Sequence, residues 1–476
     1  MQTPSRRFAF AFTSLALILG TAACGGGGGD DVTDQASAAA LDAERATALA
    51  RRRPPPPAPP PPPAPTFDST LALASASASG QAAEGRVCGV SADGGKVLFT
   101  SSSDTLVSGD NRPFLDDIFL KNFNGNGVSR AVTIASRGLG CLAMTPDANT
   151  VVFTADATNG VVDVLGNSGT ETAILVQNLA TGQRTRVTPL LSTFPNVFAY
   201  QFAGVSDDGL RVAFIAQPTR TCSGYDCTAT GPARMLVRDL ASGSLVNLEG
   251  QVRFTTSQGF ADGDAMLSSN GRTLAFSSKA AYPELGDTNV KSDVFALDIA
   301  SGIVRLVSTN AAGQQIGFAG FPGAGPSFGV QGFLANNTKI AFHALFDTDA
   351  GARGIYVKDL ASGSLTRVLG SVGNIVGYRA QVSFSDDGRR VSYVEDNGLG
   401  GQFSNSVPRV VDLTTGATVN AATLTNGTVG NGKVTVGALL SRDGRVAAFD
   451  NNSTNLLGGL SPLGGAEQRA YRKLLP

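Results

Sequence analysis

The sequence predicts an all-β protein, a seven-bladed β-propeller of four-stranded blades, and three observations predict it. A phrase of the form apolar–Ser/Thr-x-Asp/Asn-Gly–apolar–aromatic recurs seven times between Val90 and Phe449. A second recurring hairpin stands between the copies. The last unit stops one strand short, and a matching strand stands ahead of the first unit. Internal repetition at such a period is the signature of a stacked or closed array.

Each copy of the phrase reads as two strands and their turn. The copies run Val90-Ser91-Ala92-Asp93-Gly94 to Phe99, Met144-Thr145-Pro146-Asp147 to Phe153, and Val205-Ser206-Asp207-Asp208-Gly209 to Phe214. They continue with Leu267-Ser268-Ser269-Asn270-Gly271 to Phe276, Leu334-Ala335-Asn336-Asn337 to Phe342, Phe384-Ser385-Asp386-Asp387-Gly388 to Tyr393, and Leu440-Ser441-Arg442-Asp443-Gly444 to Phe449. Asp or Asn caps a tight bend with its side chain, and Gly permits positive φ. The short apolar run that follows suits a strand buried on both faces.

The third and fourth strands come from the second hairpin. It reads Leu236 to Leu245, Phe295 to Gly302, Tyr356 to Leu365 and Val410 to Gly416, each turning at Ala/Thr-Ser/Thr-Gly. Four strands in series argue for a propeller blade. The period, about 58 residues from Phe99 to Phe449, exceeds a minimal blade, with the excess in loops. Unit five departs most, lacking its turn Gly and carrying an insertion from Asn310 to Val330.

Ring closure follows from the ends. The seventh unit offers Arg469 to Leu475 as its third strand and then ends. Ser69-Thr70-Leu71-Ala72-Leu73-Ala74-Ser75 is similar to the fourth strand of unit four, Gly302 to Ser308, and both run on to a Gly-Gln pair, Gly80-Gln81 and Gly313-Gln314. The early strand is therefore expected to complete the last blade, which removes an open edge.

The Ser-x-Asp-Gly turn followed by an apolar-aromatic strand resembles the PD40 (WD40-like) repeat of the TolB-like propellers, over about residues 67–476. That resemblance implies a fold and leaves function open. The family includes periplasmic scaffold proteins, non-catalytic gates of prolyl-oligopeptidase-like enzymes, and lyases.

The first 66 residues carry an address. Arg6 and Arg7, the apolar Phe8 to Gly20 and the small Thr21-Ala22-Ala23 read as a secretory signal peptide over residues 1–23. Cys24 and five glycines follow, which resembles a bacterial lipoprotein signal and implies lipidation of Cys24. Thr21 departs from the usual Leu. Ser5-Arg6-Arg7 also resembles a twin-arginine signal, but Ala9 fits that pattern poorly, so ordinary unfolded export is expected. Gly25 after the Cys implies outer-membrane sorting, facing either the periplasm or the surface. Residues 24–66 form a Gly/Ala/Pro-rich linker that is not expected to fold. Pro54 to Pro65 acts as a polyproline spacer of about 35–40 Å. The linker reads as a stalk, with a proline-rich ligand as the alternative.

Composition narrows the chemistry. Charged residues make up 16% of the chain and the formal net charge is −1, so no basic footprint for nucleic acid is present. A monomer is expected. With Cys24 set apart, four of the five cysteines remain for an oxidising compartment. Cys222 and Cys227 are expected to staple one loop. Cys88 and Cys141 stand on innermost strands of neighbouring blades, either bridged or as two buried thiols. No cysteine spacing reads as a zinc site.

Candidate chemistry is sparse. The single histidine, His343, reads as structural, and no Gly-x-Ser-x-Gly elbow accompanies it. The turn carboxylates Asp93, Asp147, Asp208, Asp387 and Asp443 are explained by the turn. Trp is absent, and Tyr200, Tyr225 and Tyr378 are what remains for stacking a sugar. Asp287, Asn289 and Asp293 place oxygens at alternate positions and form a calcium candidate. Lys291 and the lack of a closing Glu oppose it, and an Asx-turn is the alternative. No other cofactor is indicated.

The expected role is non-catalytic: a lipid-tethered scaffold that binds envelope proteins through one propeller face. The Cys222–Cys227 loop and the Asn310–Val330 insertion are the expected contact elements. The alternative is a propeller that binds or cleaves a small molecule, peptide or glycan at the central channel. Acidic and Tyr clusters facing the channel favour that alternative; an apolar or Gly-lined channel opposes it. A calcium-stabilised structural module is the third reading.

Overall fold

A computed structural model describes residues 70–476, apart from 110–115, 126, 133–139, 157–171, 224–225, 258–259, 290, 317–326, 346–353, 371–381, 397–405, 435–436 and 457–466. The signal, Cys24, the linker, Tyr225 and Tyr378 lie outside the described residues, as does part of the Asn310–Val330 insertion.

The Ser-x-Asp-Gly phrase folds by local hydrogen bonding. In the first copy the Ser91 hydroxyl donates to Asp93 Oδ1 at 2.6 Å and accepts from the Lys96 N–H at 2.9 Å. Asp93 Oδ1 also accepts from the Gly95 N–H. Thr145, Ser206, Ser268, Ser385 and Ser441 repeat the pattern with Asp147, Asp208, Asn270, Asp387 and Asp443. The hydroxyl of Ser91, first among several bonds to Asp93, holds that carboxyl below its usual range. These carboxylates are therefore occupied by the turns they build.

The turn glycine is required for two reasons. Gly94 sits at φ +67°, and a Cβ there would come within 2.2 Å of Val446 in the neighbouring blade. Where the glycine is missing the left-handed conformation persists. Ala148 takes it in the second copy, and Ala335, Asn336 and Asn337 take it in the fifth. Such positions suit Asn and cost Ala more.

Among the described residues the strands form seven four-stranded antiparallel sheets and two separate hairpins. Blade 1 is Arg86–Val90, Lys96–Ser101, Asp117–Asn122 and Gly127–Val132. Blade 3 is Val197–Val205, Arg211–Pro218, Arg234–Asp239 and Leu245–Asn247; blade 4 is Ala265–Leu267, Thr273–Ser278, Asp293–Asp298 and Val304–Leu306. Blade 2 is Gly140–Met144, Thr150–Asp156, Thr172–Asn178 and Arg184–Arg186; blade 5 begins with Ser327–Leu334, blade 6 with Ser383–Phe384 and blade 7 with Leu439–Leu440. The first strand of each blade touches that of the next all the way round, so the first strands line a central channel. Antiparallel order puts the first-to-second and third-to-fourth turns at one end. The longer connections lie at the other.

The core sits between the blades. Leu98 and Ile118 of blade 1 pack on Val151 and Phe153 of blade 2, and Ala275 and Val294 of blade 4 pack on Ile340 and Phe342 of blade 5. Second strands are buried on both faces, as their composition requires: Val212 to Ala216 have no exposed surface. In four blades the aromatic of the second strand stacks on one of the third, as Phe276 does on Phe295 at 5.3 Å and Phe449 on Tyr471 at 5.7 Å.

Closure is as expected. Leu71–Leu73 pairs antiparallel with Arg469–Leu474 and supplies the fourth strand of blade 7. The loop that follows is the one that follows blade 4. Ser77 N–H donates to Gln81 O as Asn310 N–H does to Gln314 O, with Gly80 and Gly313 both at positive φ.

Both cysteine pairs are disulfides. Cys88–Cys141 joins the first strands of blades 1 and 2. Cys222–Cys227 closes the hairpin Arg220–Ser223/Asp226–Ala229, which forms its own sheet.

Candidate functional site

The turn end of the channel is built from the second residue of each Ser-x-Asp-Gly phrase. These residues are Ala92, Pro146, Asp207, Ser269, Ala335, Asp386 and Arg442, and the glycine-less turn of blade 5 adds Asn336 and Asn337 after Ala335. The shared turn fixes their backbone and leaves the side chain free to vary. Backbone hydrogen bonds pass from turn to turn. Asp386 N–H donates to Arg442 O, Ala335 N–H to Asp386 O, Asp207 N–H to Ser269 O and Ala92 N–H to Pro146 O, all at 2.7–2.8 Å. Ser269 N–H donates instead to Asn337 Oδ1 at 2.9 Å.

Arg442 crosses this ring. Its guanidinium makes a bidentate contact with Asp207 on blade 3, with Nη1 donating to Oδ2 at 2.6 Å. It reaches Asp386 of the adjacent blade 6 through one longer contact of 3.4 Å. These groups, with Ser269, Asn336 and Asn337, form the polar wall of a cavity of about 180 Å³, and Val205, Met266 and Phe333 are among its apolar lining. Desolvation raises the Asp386 carboxyl above its usual range, against the lowering effect of Arg442. Asp386 Oδ1 and the Asn336 amide make no hydrogen bond among the described residues. The channel end is therefore neither apolar nor Gly-lined. It presents charged and amide groups to solvent.

Other candidates sit elsewhere. His343 lies on the second strand of blade 5, its ring against Gly329, where a Cβ would come within 2.2 Å. The Gln331 amide lies 2.8 Å from its Nδ1, and burial pushes its pKa down to about 4. It is a neutral, packed residue at physiological pH. Tyr200 packs edge-on against Phe214.

Asp287, Asn289 and Asp293 do come together, at the end of the ring opposite the turns. Their centre is the amide of Gln315, which enters from the next connection. Gln315 Nε2 donates to Asp287 Oδ1 at 3.0 Å and to Asp293 Oδ2 at 2.8 Å, and Asn289 Nδ2 donates to Asp293 at 3.0 Å. Ser308 completes the set by donating to Asp293 Oδ1. Burial, with Asp287 nearby, pushes Asp293 up to about 6. An unfolded Asp titrates near 4, so between about pH 4 and pH 6 the folded chain holds more protons and stability falls as pH rises. In chelator-containing buffer, Asp293→Asn is expected to raise stability at pH 7 by about 2–3 kcal/mol, the size of the shift. It also flattens the dependence between pH 4 and 6. The Asn oxygen can still accept from Gln315, while its amide donates to Ser308 in place of the bond that Ser308 donates to Asp293, which offsets part of the gain. Urea denaturation of both proteins across pH 4–8 checks this; equal slopes in the two would refute it.

No family model matches the chain, and no curated protein does. Solved structures do resemble it. An oligogalacturonate lyase in complex with manganese is 12% identical, with a TM-score of 0.52 over 87% of this chain and 96% of that one. The oligogalacturonate lyase of Vibrio parahaemolyticus is 11% identical at the same TM-score and coverage. A prolyl endopeptidase is 14% identical with a TM-score of 0.45, over 92% of this chain and 55% of that one. At such identities the likeness is one of fold. It is the propeller fold that the repeat predicts. Among the described residues no group of three His, Cys, Asp or Glu side chains is placed to hold a metal ion, so the donors for a manganese-type centre are not gathered there.

Two findings correct the expectation of a non-catalytic scaffold. The solved structures that share this fold over 87% of the chain include oligogalacturonate lyases, so the fold does not single out the scaffold reading. The channel end carries the carboxylates Asp207 and Asp386 that the alternative reading asks for, although no Tyr lines the cavity beside them.

Proposed function

We propose that this propeller holds one end of a small molecule, peptide or glycan in the cavity at the turn end of its channel, and acts on it there. The cavity formed by Arg442, Asp207, Asp386, Ser269 and Asn336 carries the reading. Five of the seven blades contribute to it, so it exists only in the closed ring. At about 180 Å³ it is smaller than the roughly 300–1,000 Å³ of pockets that enclose a whole ligand. It suits a terminal group, with the rest of the ligand extending into solvent. The likeness in fold to oligogalacturonate lyases supports an enzymatic role.

The test fills the cavity without changing its charge. Ser269 is half-buried on the cavity wall, and Ser269→Tyr places a ring there. Its two lost hydrogen bonds with Asn337 cost about 1–3 kcal/mol at a partly exposed site, so the ring still folds. Wild type and variant are incubated with a mixture of short peptides and oligosaccharides. Binding is read by ligand-observed NMR and turnover by mass spectrometry. At least one component is expected to bind wild type and to lose about tenfold or more in affinity, or its turnover, in Ser269→Tyr. If nothing binds or is consumed, or the variant matches wild type, the proposal fails.

A further inference from the structure

We infer that the group held in this cavity is a primary ammonium, as on a free peptide N-terminus or an amino sugar; the inference rests on the cavity being the ligand site. Two carboxylates, Asp207 and Asp386, face a single guanidinium, Arg442, which leaves a surplus of one negative charge. Ser269, Asn336 and Asn337 add no charge. The surplus is concentrated on one side. Asp207 spends both oxygens on Arg442, whereas Asp386 gives it only the 3.4 Å contact through Oδ2. Asp386 Oδ1 therefore stands open on a wall that Asn336 also lines.

An ammonium supplies three donors and a positive charge, and this wall offers acceptors and a negative surplus. A carboxylate ligand meets the opposite. It would have to displace Asp207 from Arg442 and then lie beside two like charges. A uronic acid, the acidic sugar that the lyases of similar fold act on, is thus disfavoured here. The apolar lining from Val205, Met266 and Phe333 suits the carbon frame next to the amine.

The experiment uses the full chain and matched probes that differ only in the amine. Phenylalaninamide is compared with N-acetylphenylalaninamide, and the glucosamine trimer with the N-acetylglucosamine trimer. Trigalacturonate is the acidic probe. Affinities come from ligand-observed NMR at low and moderate salt. The free amine of a pair is expected to bind about tenfold or more tightly than its acetylated partner, and trigalacturonate most weakly. Asp386→Asn weakens the amine about tenfold and leaves the acetylated probe unchanged. Arg442→Ala tightens the amine, because the surplus rises to two charges. Whichever pair shows the preference names the source, peptide or amino sugar. If probes bind in a manner sensitive to Ser269→Tyr but amine and acetyl forms bind alike, or trigalacturonate binds best, the ammonium inference is overturned while the channel site stands. If no probe binding is sensitive to Ser269→Tyr, both fall.

Discussion

Removing residues 70–76 from the propeller is expected to abolish its cooperative folding. Among the described residues this short strand is the only partner of the outer edge of Arg469–Leu474. Leu71 and Leu73 are almost wholly buried, and they pack with Val410, Phe449 and Tyr471 at the junction of blades 6 and 7. Burying each is worth about 1.5–3 kcal/mol. The strand also satisfies backbone groups of blade 7: Ala470 O accepts from Ala74 N–H at 2.7 Å, and Leu474 N–H donates to Thr70 O at 2.6 Å. Its loss takes roughly 5 kcal/mol or more from a total that for a domain is typically about 5–15 kcal/mol. It also leaves an apolar edge strand free to pair with another chain. The milder variant Leu71→Ala/Leu73→Ala retains the strand and is expected to cost about 4–8 kcal/mol, by cavity formation at two buried sites. Circular dichroism, urea denaturation and size-exclusion chromatography read the result. A truncated protein that is monomeric and unfolds at the wild-type midpoint would show that the ring does not need its closing strand.

That strand was legible because the chain writes it twice. Ser75 corresponds to Ser308, and the loops behind them share a Gly-Gln pair with the same hydrogen bond. The blades were legible for a similar reason. Ser, Asp and Gly of the turn satisfy one another within five residues, so the signal is local and survives in any context that needs the turn. Where the signal decays, in the fifth copy, left-handed Asn residues do the work of Gly.

The channel site was not legible, although its residues lie inside the motif that identified the fold. Asp207, Asp386 and Arg442 occupy the one position the turn does not constrain, so they read as spacers. Asp207 and Arg442 are 235 residues apart, and only ring closure makes them neighbours. The available signal was variation itself: a fixed motif with Ala, Pro or Ser at its free position in four copies, and charge in three. The Asp287–Asp293 loop was half legible. Its own residues converge as the spacing suggests, but Gln315 arrives from a different connection and supplies the donors that the loop lacks.

The two disulfides are expected to differ sharply in what they contribute. Cys88 and Cys141 are 53 residues apart, and their bridge closes a loop that spans most of blade 1 and its junction with blade 2. Loop-closure entropy for a chain of that length gives about 4 kcal/mol. Both sulfurs lie at the edge of the apolar cluster between these blades, so two serines in their place also put hydroxyls against that cluster. Cys222 and Cys227 are five residues apart, on paired positions of a hairpin that forms its own sheet and meets blade 3 through Arg220 over the Phe198 ring. Opening that bridge frees few conformations, and the hairpin can fray without breaking a strand pairing of blade 3. The same estimate gives it about 2 kcal/mol, an upper bound on what the blades feel. Cys88→Ser/Cys141→Ser is therefore expected to lower the urea midpoint markedly, and Cys222→Ser/Cys227→Ser to leave it almost unchanged. A dithiol reductant applied to wild type should reproduce the first result, not the second. Equal midpoints for the two double variants would mean that the inter-blade bridge merely decorates a junction already held by Leu98, Ile118, Val151 and Phe153.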